Sequence, residues 1–248
     1  MEWWIYVIVV LVGIFVGFIN TIAGSGSLIT LPLLMFLGLD ANTANGTNRL
    51  SLFLQSLSAT SSFKQKQIFR INEGLHYGIP ATIGAIGGAF IAVKTKPEIL
   101  NYIIAGILVG MLFLLLLNPQ RWIKPPEKVK NKPNFAKFML FLAIGIYAGF
   151  LHASVGFFWL ASLVLSAGYD LVKANAVKSF IMMLYLPITL IIFALNKQVD
   201  YIMGLTLGAG TIIGARIAVV TSIKKGSPFI RIILLLAILA SAIKLIFF

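Results

Sequence analysis

Long apolar runs alternate with short polar intervals along the whole chain. Runs at 3–18, 99–117, 138–150 and 229–248 have the length and texture of segments that sit in lipid. Elsewhere glycine and small polar residues interrupt the apolar pattern without shortening it. The pattern predicts helices near 3–22, 41–62, 74–95 and 98–118, then 136–155, 171–195, 200–221 and 228–247. Two further elements, 28–37 and 157–167, are apolar but short. At about 1.5 Å per residue neither reaches across roughly 30 Å of hydrocarbon. The expected class is all-α: a polytopic transmembrane helical bundle.

These elements form two similar sets. A proline-rich, basic linker at 119–136 separates a first transmembrane repeat, 1–118, from a second, 137–248. Three matches occur in the same order in both halves. Gly17-Phe-Ile-Asn-Thr-Ile-Ala-Gly24 lines up with Gly149-Phe-Leu-His-Ala-Ser-Val-Gly156. Gly38-Leu-Asp-Ala-Asn-Thr-Ala-Asn45 lines up with Gly168-Tyr-Asp-Leu-Val-Lys-Ala-Asn175. Gly88-Ala-Phe-Ile-Ala-Val-Lys-Thr95 lines up with Gly214-Ala-Arg-Ile-Ala-Val-Val-Thr221. Each pseudo-symmetric repeat thus carries one broken or short half-helix.

The short element decides the topology. If it crosses with its partner loop, each half makes five passes and the halves are inverted. If it returns to the side it came from, each half makes four and the halves are parallel. Basic loops mark the cytoplasmic face, and the inverted alternative gathers more of them beside the linker, chiefly Lys224, Lys225 and Arg231. The expectation is therefore an inverted repeat, with 119–136 in the cytoplasm and both termini outside.

Composition agrees. The chain is 59% hydrophobic and 11% charged, against about 25% charged in soluble domains. Its mean hydropathy is +0.98. The formal net charge of +13 sits largely in short loops, so the expected partners are the bilayer and a small anion, not nucleic acid. A homo-oligomer stays open. The first run lacks a basic leader and a cleavage site and reads as a membrane helix. The absence of cysteine excludes disulfides and thiolate chemistry. Neither a zinc-peptidase nor a phosphate-loop motif is present, and no enzyme activity or cofactor is expected.

The candidate chemistry lies at the breaks. Asn20 to Ser27 is polar and glycine-rich between apolar helices, and irregular backbone in lipid survives only where protein or a cavity covers it. Gly24 and Gly26 allow close backbone approach, Ser25 and Ser27 add hydroxyls, and the following helix start offers free N–H groups to an anion. The alternative is a tight helix crossing that needs small residues. The next helix is unusually polar, with Asn45, Thr47, Asn48 and Arg49, and its counterpart carries Lys178 and Ser179. A cation inside a membrane helix costs roughly 3 kcal/mol or more, so it should face protein, water or substrate; snorkelling is the alternative. Arg216 either binds substrate or caps carbonyls at a break. His152 matches Asn20 and is either a protonatable contact or a structural residue. Asp40 and Asp170, at matched helix starts, read as N-caps.

One stretch carries a wider resemblance. Gly24-Ser-Gly-Ser-Leu-Ile-Thr-Leu-Pro32-Leu, then Gly38 and Ala44-Asn-Gly-Thr47, resembles the sulfite exporter TauE/SafE family of membrane permeases. The second half is similar at Gly149, Gly156, Gly168, Ala174 and Gly214-Ala215. It departs at Val155-Gly-Phe-Phe-Trp159, which is aromatic where the family tends to glycine, and at Val164, which stands at the matched proline. That departure suggests an asymmetric pocket walled by Phe157, Phe158 and Trp159. The resemblance implies secondary transport of small sulfur-containing anions by alternating access, such as sulfite, sulfonates or sulfoacetate-like compounds, in a prokaryotic cell membrane. An anion channel and a non-transporting membrane scaffold are the alternatives.

Overall fold

The computed structural model describes the backbone of residues 2–116 and 134–247, and the side chains of 2–106 and 134–234. Apart from 134–136, the expected linker lies outside the described residues. The helices are α1 (Trp3–Ala23), α2 (Ser27–Phe36), α3 (Ala41–Gln65), α4 (Ile71–Lys94), α5 (Pro97–Leu116), α6 (Phe135–Phe150), α7 (Val155–Ala167), α8 (Leu171–Leu195) and α9 (Tyr201–Phe247). Gly226, at φ 69° and ψ −170°, breaks α9 between the two helices expected there.

Among the described residues four helices are long and apolar enough to cross a membrane: α1, α4, α8, and α9 as far as Leu234. Leu11, Phe15, Ile83, Phe90, Ile191, Leu205 and Ile217 are all exposed on them. So much outward apolar surface suits lipid, not water. The chain is an integral, multi-pass, all-α membrane protein. Polar α3 shows the converse pattern: Asn42, Asn45, Thr47, Asn48, Arg49, Ser51, Gln55 and Thr60 are all buried. It packs mainly against α8 and α9, because a helix this polar is cheapest where neighbours can satisfy it.

Each short helix folds back on the helix before it. The start of α2 lies against Val16 and Asn20, where a β-carbon on Gly26 would meet both. Leu34 and Met35, near its end, join Ile5, Tyr6 and Val9 of α1 in one apolar cluster. Likewise Phe158 of α7 meets Tyr147 of α6, and Trp159 stacks on Phe141, closer to the α6 start.

Glycines set the long contacts. Gly13 and Gly17 of α1 lie on the backbone of Gly210 and Thr211 of α9, while Gly145 and Gly149 of α6 lie on Ala81 and Ala85 of α4. Gly204 and Gly208 of α9 receive Leu50 and Leu54 of α3, and Gly74 and Gly78 of α4 receive Phe180 and Leu184 of α8. In all four pairs the numbers rise together, so the partners run in the same direction. Small residues permit these approaches, and dispersion between close backbones replaces the hydrophobic drive that lipid cannot supply.

Asp40 and Asp170 are N-caps. Asp40 accepts from the Asn42 and Thr43 N–H groups at 3.0 and 3.1 Å, and Asp170 from Val172 and Lys173 at 2.8 and 3.1 Å. Each cap stabilises its helix by about 1 kcal/mol.

Candidate functional site

The two breaks touch. Gly24 ends α1 at φ 75°, with its N–H returning to the Asn20 carbonyl. A β-carbon there would collide with the backbone of Gly156 and Phe157, and one on Gly156 would collide with Gly24. These two glycines occupy matched positions in the two halves. Only backbone fits between them, so the close approach expected of Gly24 is made to the other break.

A cation from the opposite half closes each break. Lys178 of α8 is buried, and its Nζ donates to the Asn20 and Thr21 carbonyls of α1 at 3.1 and 2.8 Å. Arg49 of α3 is fully buried and donates to the Ala148 and Gly149 carbonyls of α6 at 3.2 and 2.6 Å. A longer contact reaches the Phe150 carbonyl at 3.5 Å. The guanidinium also donates to Asn45 Oδ1 at 3.3 Å and lies 4.4 Å from the centre of the Phe193 ring. The matched asparagines add to this: Asn45 donates to the Phe150 carbonyl at 2.9 Å, and Asn175 to the Ile22 carbonyl at 3.1 Å. A helix C-terminus carries about −0.5 charge, so a cation suits each end.

This changes what Arg49 can offer. Most of its fork is committed to carbonyls, the protein partner among the three the sequence left open. Its Nε, with Asn48 Nδ2 and Ser154 Oγ, is buried without a hydrogen-bond partner, and each of the three can donate. Among the described residues neither Arg49 nor Lys178 forms an ion pair; the salt bridge there is Lys173–Glu73, at 2.9 Å.

Asn20 and His152 stand at matched positions and behave differently. Asn20 Oδ1 accepts from the Gly26 N–H at 3.1 Å and its Nδ2 donates to Gln55 at 3.1 Å. The Gly26 N–H, expected to be free for an anion, is therefore taken. Gln55 in turn donates to Thr21 Oγ1 at 3.1 Å. His152 places Nδ1 at 3.5 Å from Ser27 Oγ and Nε2 at 2.7 Å from the Tyr185 hydroxyl. Hydroxyls donate or accept, so these partners suit either protonation state of the ring.

The remaining expected residues divide. Asn48 accepts from Thr30 of α2 at 2.8 Å and so lies beside the first break. Ser25 is part-exposed and its carbonyl accepts from Leu28 N–H at 3.1 Å, inside the break itself. Thr47 turns away and accepts from the Asp200 N–H at 2.8 Å, at the start of α9. Ser179 bonds within α8, donating to the Asn175 carbonyl. Arg216 is not in the cluster: it is exposed beside Ile213, Ile217 and Val220. Gly210 and Gly214 turn the opposite face of α9 onto α1, and Arg216, two residues beyond Gly214, points about 200° away. Of the aromatic wall, Trp159 is fully buried and stacked on Phe141, 5.6 Å between centroids. Gln55, Asn175 and Tyr185 were not foreseen as site residues. The repeat alignment already matched Asn175 with Asn45, whereas nothing in the sequence marked Tyr185.

The relatives of the chain bear on what a pair of touching breaks with buried cations does. Residues 9–245 match the sulfite exporter TauE/SafE family. The chain belongs to this family. Among curated proteins, it is 27% identical over 230 residues to the probable membrane transporter protein ORF9 of Sinorhizobium sp, covering 93% of this chain and 88% of that protein. It is 27% identical over 241 residues to the probable membrane transporter protein YfcA of Escherichia coli strain K12, covering 95% of this chain and 87% of that one. Probable membrane transporter protein YdhB of Bacillus subtilis strain 168 is 28% identical over 152 residues, 61% of this chain and 60% of that one. No solved structure matches. Family and relatives alike describe a membrane transporter and not an enzyme.

Proposed function

We propose that this protein is a secondary transporter of small anions, sulfur-containing ones such as sulfite, sulfonates or sulfoacetate-like compounds, working by alternating access at the paired breaks. The observation that carries this reading is the charge balance there. Arg49 and Lys178 bring two positive charges into fully buried positions without an ion-pair partner among the described residues. Two helix C-termini offset about half of each. Unshared buried charge is costly, and an anion at the junction supplies the remainder. The donors left over on Arg49, Asn48 and Ser154 favour the same occupant. The family description, sulfite exporter TauE/SafE, supports the sulfur-oxyanion class.

Alternating access in this reading rests on an inverted repeat. The helix directions support it. α1 runs with α3 and α9, α6 runs with α4 and α8, and each short helix reverses on its predecessor. A returning helix pair plus three further helices brings the chain to the opposite face at the linker, so the second half starts upside down. Single cysteines in this cysteine-free chain test it: positions 2 and 198 should label from outside, and 128 and 226 from inside.

Transport itself is tested in proteoliposomes. Saturable sulfite or sulfoacetate flux with counterflow is expected. An ohmic anion current would make the protein a channel, and no flux of any anion would leave a scaffold.

A further inference from the structure

A cavity of about 380 Å³ opens between the first turns of α4 and α6, lined by His76, Tyr77, Pro80 and, across from them, Asn134, Phe138 and Phe141. It is distinct from the breaks yet connected to them by an unbroken line of contacts. Phe141, on its inner wall, packs on Tyr77 at 4.6 Å and stacks on Trp159 of α7 at 5.6 Å, with the planes 19° apart. Trp159 lies 6.2 Å from the Tyr185 ring, and the Tyr185 hydroxyl is 2.7 Å from His152 in the second break. The α4 and α6 helices are held backbone to backbone at Ala81, Gly84, Gly145 and Gly149, beyond the cavity. At the opposite end of the molecule the residues matched to Phe141 and Tyr77 are small or flexible and apolar. There the matched pair is Val9 and Met203, buried with Leu34 and Leu207 in an apolar cluster.

We propose that this cavity is the linker-side vestibule through which the anion reaches the breaks, and that Trp159 stacked on Phe141 is its inner gate. The inference rests on the transport reading above. The cavity lining is largely apolar, from Tyr77, Pro80, Phe135, Phe138 and Phe141; Lys137, His76 and Asn134 are the polar groups on it, and Lys137 sits in the first turn of α6, at a helix N-terminus. The Lys137 charge and the helix N-terminus beside it draw a small anion, while the aromatic pair behind them excludes water until the stack opens. Flat rings in offset contact part by sliding or rotating, without breaking a hydrogen bond.

Thiol accessibility tests both parts. A cysteine at His76 or Phe138 should react with an impermeant maleimide added from the linker side. A cysteine at Ser154, fully buried in the second break, should react slowly alone and fast when combined with Trp159→Ala. If Trp159→Ala does not yield a monodisperse protein, Phe141→Leu removes a ring from the same stack and carries the same test. Equal reactivity at 154 with and without the gate substitution would overturn the gate. In proteoliposomes, a bulky maleimide on Phe138→Cys should abolish sulfite flux; unchanged flux would make the cavity a lipid groove and overturn the vestibule. Should the unmodified protein carry no flux, the transport reading fails, while reactivity at 154 still decides the gate.

Discussion

The two breaks solve one problem with different chemistry. At the first, α1 winds into a left-handed glycine that returns its N–H to the Asn20 carbonyl. Lysine, a point charge, donates to that carbonyl and to the one of Thr21, and Asn175 takes the one of Ile22. At the second, α6 runs straight into extended backbone at Leu151, φ −139°, and the chain turns only at Ser154, φ 54°. Three successive carbonyls, of Ala148, Gly149 and Phe150, face inward, and the planar arginine fork spans them. The two helix ends are thus closed by cations of different shape. The side chains inside the breaks follow: Asn20 holds its own loop through fixed donor and acceptor roles, while His152 links the breaks through hydroxyls that can exchange roles.

The largest effect should come from destroying the contact the breaks share. Gly24→Leu forces a side chain into left-handed backbone, costing about 1–2 kcal/mol, and drives it into Gly156 at a further cost of roughly 1–3 kcal/mol or more. Folded yield in detergent should fall sharply. Gly38→Ala is the control, since Gly38 is also left-handed, at φ 96°, with nothing near its β-carbon; it should lose only the backbone term. Similar yields from the two variants would break the shared-contact account.

Next come the cations. Arg49→Met strands buried carbonyls at about 1–3 kcal/mol each, and Lys178→Met strands fewer, so Arg49→Met should lower the midpoint of thermal unfolding more. Arg49→Lys should recover part of the loss, because lysine keeps the charge without the fork. Equal midpoints for Arg49→Lys and the parent would show that the fork does not matter to the second break. In transport, Arg49→Gln should weaken sulfite affinity through lost field more than lost contact. Arg49→Lys, which keeps that field, should restore affinity more fully than it restores stability.

His152→Asn makes the second break resemble the first. An amide reaches one of the two hydroxyl partners, and the expected loss is about 1 kcal/mol, the scale of one hydrogen bond. An undiminished unfolding midpoint would show that the link between Ser27 and Tyr185 contributes nothing to holding the breaks together. Smallest of all, Arg216→Gln on the exposed face should stay within about 0.5 kcal/mol and leave flux unchanged; a clear loss of flux would return Arg216 to the site.

The helices of the described residues, the short elements and the position of the first break were legible from hydrophobic length, because a lipid-embedded chain has few ways to satisfy its backbone. Three colinear matches align the two halves of the sequence, and the N-caps at Asp40 and Asp170 could be read from residue type. The polarity of α3 announced that it must be buried, and the same argument flagged Arg49 and Lys178. What each cation faces was not legible, since that depends on which helix end lies across the molecule, a hundred or more residues away in the chain. Arg216 shows the limit from the other side: its neighbours Gly210 and Gly214 mark a packing face, but only the crossing with α1 decides that the arginine points away from it. Local sequence determined where the chain breaks and which residues are too costly to leave unpartnered. Tertiary structure decided the partners, because helix-end charges and glycine contacts act across space between halves that the sequence can align but not juxtapose.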